Sequence, residues 1–70
     1  MMPLLFAELN ESKVIKRISG NAEIKHHLEN LGFVPGSSIR VVNKTLGNMI
    51  VDIKDVRVAI AKDLARKIMV

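Results

Sequence analysis

The sequence predicts a mainly β protein: a small, partly open barrel with one α-helix after the first strand and a short helical turn before the last. Three observations carry that prediction. Aliphatic and polar residues alternate through most of the stretch from Ile39 to Ala61, the period of half-buried strands. A helical spacing interrupts the β pattern over Ile24, Leu28 and Leu31, at i, i+4 and i+7. Between these lies Leu31-Gly32-Phe33-Val34-Pro35-Gly36, which converts one periodicity into the other with no slack. With 70 residues there is room for a single domain, 1–70, and one small core near the lower limit of independent stability.

The elements follow in order. Leu4-Leu5-Phe6 with Leu9 is expected to cap the core, with both Phe6 and Phe33 packed inside. Asn10-Glu11-Ser12 makes a turn, and Lys13 to Ile18 reads as a strand. The adjacent apolar pair Val14-Ile15 breaks its alternation, as a bulge or burial on both faces would. Ser19-Gly20-Asn21 ends that strand, and Asn21 is the N-cap of the helix. Gly32 stands where a helix reverses into a left-handed residue. Pro35 sets the first corner of a turn, and Gly36 supplies the permissive position that follows.

Three meandering strands come next. Ile39, Val41 and Asn43 share one face, opposite Arg40, Val42 and Lys44. Leu46-Gly47-Asn48 turns the chain, and Met49, Val51 and Ile53 then face away from Ile50, Asp52 and Lys54. A two-residue loop at Lys54-Asp55 sets Ile53 opposite Val56, so the apolar set Val56, Val58, Ile60 lands on the same side. Lys62 to Arg66 is one helical turn, and Ile68-Met69-Val70 is a closing strand. One apolar face per strand is satisfied by curling into a barrel, which also removes exposed edges.

Composition narrows the function classes. Cysteine is absent, which excludes a disulfide framework, a thiolate metal site and a thiol nucleophile, and fits a reducing compartment. A domain this small without a staple is a candidate for self-association. The net charge of +4 attracts acidic partners, although the basic residues are dispersed along the chain as solvated faces would be. The opening Met1-to-Ala7 segment is apolar but has no basic leader, and no apolar run approaches the roughly 20 residues of a membrane span. A cytoplasmic protein without membrane insertion is expected.

No catalytic constellation is present. G-x-S-x-G, G-x-G-x-x-G and G-x-x-x-x-G-K-[ST] are missing, and Asp52 and Asp55 read as solvated turn residues. His26 and His27 are adjacent on the helix, about 100° apart, so they do not share an ion. Glu23 with His27, or His26 with Glu29 or Asn30, makes a two-ligand pair, short of the three or four that specific zinc or iron sites use. Neither a metal site nor a cofactor is assigned; a weak surface or inter-chain site would draw on Glu23, His26 or His27. His27 half-buried against the helix stripe is the plainer expectation. Ferrous iron is expected to bind the isolated chain weakly or not at all. Nucleic acid is not the expected partner, because single-strand binding on small barrels uses aromatic platforms and this chain has no Tyr or Trp. The same lack argues against reading P-x-x-P peptides. Arg17, Arg40, Lys44, Lys54, Arg57 and Arg66 remain available to grip phosphates.

The run from Gly20 to Val41, GNAEIKHHLENLGFVPGSSIRV, resembles the core signature of the FeoA family of ferrous iron transport proteins. The helix ending in Leu-Gly-x-x-Pro-Gly, followed by a strand with a hydrophobic residue two before a Val, matches at each position. The likeness continues through Leu46-Gly47-Asn48, the Met49–Ala61 hairpin and the closing Ala65-Arg66-Lys67-Ile68-Met69-Val70. It implies an SH3-like β-barrel. It also implies a cytosolic accessory of ferrous iron uptake that acts beside the membrane permease FeoB, whose cytosolic part includes a GTP-binding domain. That partner would hold the protein at the inner face of the membrane. The same barrel resembles the C-terminal domain of DtxR-type metal-dependent repressors, which gives a regulatory or nucleic-acid-binding module as the alternative. His26 and His27 stand at helix positions that are commonly basic or apolar in the family, so the resemblance transfers no metal site. The expected docking surface is Leu31, Gly32, Phe33, Val34, Pro35 and Gly36, with Phe33 or Val34 as apolar anchor and Lys25 or Arg40 supplying charge. The plainer role for Phe33 and Val34 is to cap the barrel.

Overall fold

The computed structural model describes residues 1–70. A 3-10 turn over Leu4–Phe6 precedes strands β1 (Ser12–Val14) and β2 (Arg17–Ile18) and helix α1 (Ala22–Asn30). Strands β3 (Ser38–Lys44), β4 (Asn48–Ile53) and β5 (Val56–Ala61) follow, then a short helix α2 (Lys62–Ala65) and strand β6 (Ile68–Met69). The strands form an antiparallel four-stranded sheet ordered β1-β3-β4-β5 and an antiparallel pair β2-β6.

The segment expected as one strand from Lys13 to Ile18 is two strands in two sheets. The Ile15 N–H bonds to the Ser37 carbonyl at 2.9 Å, and the next residue, Lys16, donates to the Met69 carbonyl at 2.7 Å. The chain therefore crosses from one sheet to the other within two residues. Ile15 turns into the core while Val14 stays exposed, so the doubled apolar pair marks a sheet switch. The bulge lies in β3 instead. Val41 pairs with Val51 but Asn43 pairs with Ile50, so Val42 is the extra residue. The facing predicted for the end of β3 is thereby reversed: Lys44, not Asn43, comes opposite the buried Met49. The loop between β3 and β4 is Thr45–Gly47, and Asn48 already belongs to β4. Met49, Val51 and Ile53 are buried as their alternation required.

The β4–β5 hairpin closes through Lys54-Asp55 with Ile53 opposite Val56. Both loop residues take positive φ, 50° and 63°, the backbone of a type I′ turn whose twist matches the flanking strands. Parity is as predicted, but burial fades along β5 toward the hairpin end, although Ile53 across from it on β4 is buried. Ile60 is buried, Val58 half-buried and Val56 57% exposed. Barrel closure is also incomplete. β1 and β5 end the large sheet with one strand neighbour each, so its two edges are not closed on one another.

Helix α1 begins where Asn21 Oδ1 accepts the Ile24 N–H at 2.9 Å. Its core contribution is narrower than the spacing suggests. Leu28 is fully buried and Ile24 partly so, but Leu31 is 39% exposed because it caps the last turn. At the N-terminus, Met2 and Val70 exchange main-chain hydrogen bonds of 2.9 and 2.8 Å. With three residues per turn, the 3-10 segment places Leu4 and Ala7 on one side, both buried, and sends Phe6 outward. Phe6 at 66% and Leu9 at 49% exposure therefore do not cap the core as expected. The core consists of 15 buried residues, all apolar, with Phe33, Leu4, Ile15, Leu28 and Ile39 among the largest. No buried side-chain nitrogen or oxygen lacks a partner.

Candidate docking surface and its neighbours

The junction after α1 is built by backbone hydrogen bonds. Leu31 keeps helical angles, and Gly32 follows at φ 100°. The Gly32 N–H then reaches the Glu29 carbonyl and the Phe33 N–H reaches the Leu28 carbonyl, each at 2.9 Å. This paired pattern is a Schellman motif, and its usual apolar contact is supplied by Leu28 and Phe33, both fully buried. Four residues later the chain turns again. The Ser37 N–H bonds to the Val34 carbonyl at 3.1 Å across Pro35 and Gly36, and Gly36 at φ 93° gives a type II turn. The Gly36 N–H is held by the Ile15 carbonyl at 2.8 Å, which ties the turn to the sheet-switch residue.

This geometry corrects one part of the expected surface. Phe33 has no exposure and cannot anchor a partner; it caps the barrel. Val34 is half-buried. What the junction presents is Leu31, Pro35 and Gly36. Lys25 lies beside them: with Arg17, Ile18, Glu29 and Pro35 it lines a shallow recess between α1, β2 and the turn.

Arg40 belongs to a different feature, on the outer face of the four-stranded sheet. Register aligns Ser12, Arg40, Asp52 and Arg57 in one row across β1, β3, β4 and β5. Arg57 donates from Nε to Asp52 Oδ1 at 2.9 Å and from Nη2 to Oδ2 at 3.3 Å, while Arg40 Nη2 donates to Oδ2 at 2.9 Å. These charge-assisted bonds, those from Arg57 first and from Arg40 second, hold the Asp52 carboxyl down at about 2. In return the Asp52 carboxylate raises the Arg57 guanidinium above its ordinary value. Asp52 is thus a paired strand residue, not the solvated turn residue expected. The same count that set Ile53 opposite Val56 also sets Asp52 opposite Arg57, and this is the signal that would have found the cluster.

The Arg–Asp–Arg row forms the floor of an open groove rimmed by Ser12, Ser37 and Ser38, with Lys54 and Asp55 at its hairpin end. Lys54 also borders the helix end, its Cδ 3.9 Å from where a Cβ on Gly32 would stand. The junction and the groove therefore meet at the β4–β5 turn. The imidazoles of His26 and His27 are both exposed, so the half-buried position expected for His27 is not taken, and Glu23 is exposed as well. No group of three or more His, Asp or Glu side chains converges as a metal site would need.

Residues 2–70 match the FeoA domain model. A candidate Fe(2+) transport protein A of Methanocaldococcus jannaschii is 34% identical over 70 residues, covering 100% of this chain and 85% of the relative. The crystal structure of an iron uptake regulatory protein, FeoA, superposes with a TM-score of 0.90 at 28% identity, covering 97% of this chain and 92% of that one. The zinc-complexed FeoA of Stenotrophomonas maltophilia, described as an SH3 domain protein, gives 0.83 at 27% identity, covering 99% and 88%. A manganese-dependent transcriptional repressor gives 0.86 at 20% identity, covering 94% of this chain and 38% of that one, a likeness of fold alone. The two-sheet barrel is SH3-like, and from its sequence match and its architecture together this chain belongs to the FeoA family.

Proposed function

We propose that this protein is an accessory and regulatory component of ferrous iron uptake, acting by docking on the cytosolic G-protein domain of a FeoB-type permease. The observation that carries the reading is the FeoA domain match across residues 2–70, together with a relative named for Fe(2+) transport that aligns along the whole chain. No helix is long and apolar enough to cross a membrane, and the reading assigns the transport path to the permease. It places the protein in the cytoplasm, at the inner face of the membrane while bound. No reaction centre is invoked. The chemistry is recognition: Leu31 and Pro35 offer a small apolar contact, and Lys25 beside them biases the approach of an acidic partner surface. Arg40 contributes from the adjoining groove.

The test is an NMR titration of the labelled protein with the cytosolic portion of a FeoB-type permease. Resonances of Lys25 and of residues 31–36 should shift. Leu31→Asp should weaken binding by about tenfold, the effect of removing an exposed apolar anchor, while leaving the fold intact. A titration that moves no resonance at high concentration overturns the reading. A gel shift with nucleic acid at physiological salt, falling steeply as salt rises, would move the protein to the nucleic-acid-binding class.

A further inference from the structure

The β5 edge of the large sheet carries no second strand. β5 is six residues long, Val56–Ala61, and pairs with β4 alone. In a two-residue hairpin the residues flanking the loop form a hydrogen-bonded pair, so Val56, Val58 and Ile60 spend their main-chain groups on β4. The Lys62 N–H, bonded to the Gly47 carbonyl at 3.1 Å, continues the same parity. The N–H and C=O groups of Arg57 and Ala59 consequently point away from the sheet, and no other main-chain group takes them up.

Natural edges are normally blunted by charge, proline or a bulge, and β5 has none of these in place. Its register with β4 is unbroken from Val56 to Ala61. Ala59 and Ala61 are too short to screen the backbone. The single charged residue, Arg57, is drawn across the face of the sheet by its two bonds to Asp52, which takes its guanidinium off the edge. The cluster that decorates the outer face thereby keeps the edge accessible.

We propose that β5 accepts an extended acidic–aliphatic segment of another protein as an added strand. The side chains on either side of the edge specify that pattern. On the inner face Val56 is 57% exposed and Val58 half-buried, so aliphatic residues on the added strand would extend the core over them. On the outer face, two arginines share one carboxylate in the Arg40–Asp52–Arg57 row, leaving an excess positive charge and an unpaired Arg57 Nη1 for an incoming carboxylate. Alternation of side chains along a strand makes these requirements fall on successive residues. A second copy of this chain is the poorer occupant, because each copy carries a net charge of +4 and would bring Arg57 into the place where an acid fits.

The proposal stands apart from the transport reading, since its test contains no permease and each can fail alone. The probe is the peptide acetyl-Glu-Val-Glu-Val-Glu-Val-Glu-amide, with a control carrying Lys for Glu, titrated into the labelled full chain. The Glu peptide should bind, slow amide exchange at Arg57 and Ala59, and lose affinity by about tenfold in Ala59→Pro, which deletes a donor that the fold itself does not use. The Lys peptide should not bind. The exchange measurement on the unsubstituted protein decides the matter even if Ala59→Pro fails to fold. Equal binding of the Lys peptide, binding without protection of those two amides, or sedimentation showing an edge-dependent dimer of the free protein would each overturn the proposal.

Discussion

Two turns lie side by side at one end of the barrel and solve the same backbone problem with different residues. The junction after α1 takes its positive φ values on glycines, Gly32 at 100° and Gly36 at 93°. The β4–β5 hairpin takes them on Lys54 and Asp55, at 50° and 63°. Glycine carries no Cβ penalty, whereas a side chain held in the left-handed region costs about 1–2 kcal/mol per residue, less for Asp. The difference teaches where each turn gets its stability. The junction is anchored by buried packing and four main-chain hydrogen bonds, so it can do without side chains at the turns themselves. The hairpin gives up some backbone stability and keeps two charged side chains at the end of the groove.

Four variants would break or sharpen that contrast. Phe33→Ala attacks the packing beneath the junction and should cost about 3–5 kcal/mol, as large-to-small changes at fully buried aromatic sites do. For a small domain that is much of the total stability, so the denaturant midpoint should fall steeply or folding should fail. A loss below about 1 kcal/mol would mean that Phe33 is not the keystone described. Gly32→Ala probes the turn alone. Lys54 Cδ is in ordinary contact distance of the new methyl group at 3.9 Å, so the cost comes from φ and should be about 1–2 kcal/mol in chemical denaturation.

The hairpin should respond in the opposite direction. Replacing its loop with Asn-Gly, as Lys54→Asn with Asp55→Gly, should stabilise the protein by about 0.5–1 kcal/mol after the extra freedom of glycine in the unfolded chain is allowed for. An unchanged melting temperature would show that the Lys54 and Asp55 side chains stabilise the turn as much as their backbone strains it. The smallest effect concerns pH. Asp52 is held at about 2 in the folded protein, below its ordinary 3.8, so its stabilising contribution is complete above about pH 4 and fades as pH falls toward 2. Asp52→Asn should flatten that stretch of a melting-temperature profile and leave neutral pH little changed, since the cluster is solvent-exposed. A profile identical to that of the unsubstituted protein would refute the pairing.

Local signals were the legible ones. Asn21, Gly32, Pro35 and Gly36 announced the helix boundaries and the type II turn because each acts on its own backbone or on one a few residues away. The Ile53–Val56 register was likewise a matter of counting. Non-local facts were harder to read. The sheet switch just after Val14-Ile15 could not be identified, because the carbonyls that take up the Ile15 and Lys16 N–H groups, those of Ser37 and Met69, lie far along the chain. Phe6 and Leu9 had the composition of core residues, but a three-residue turn gave the inside to Leu4 and Ala7. In the candidate surface, Lys25, Leu31, Pro35 and Gly36 lie exposed, while Phe33 was claimed by the Leu28 contact. The Arg40–Asp52–Arg57 row needed the pairing of three strands at once.

Sequence alone determined the kinds and order of most elements, the charge of the surface and the family. Periodicity, capping residues and turn chemistry act over a few positions, where a chain has little choice. Tertiary structure decided which apolar residues went inside, which strands were left with a neighbour on one side only, and which charges met. Those outcomes depend on competition for a core of 15 residues and on closure of two small sheets, and no single segment carries the information to settle either.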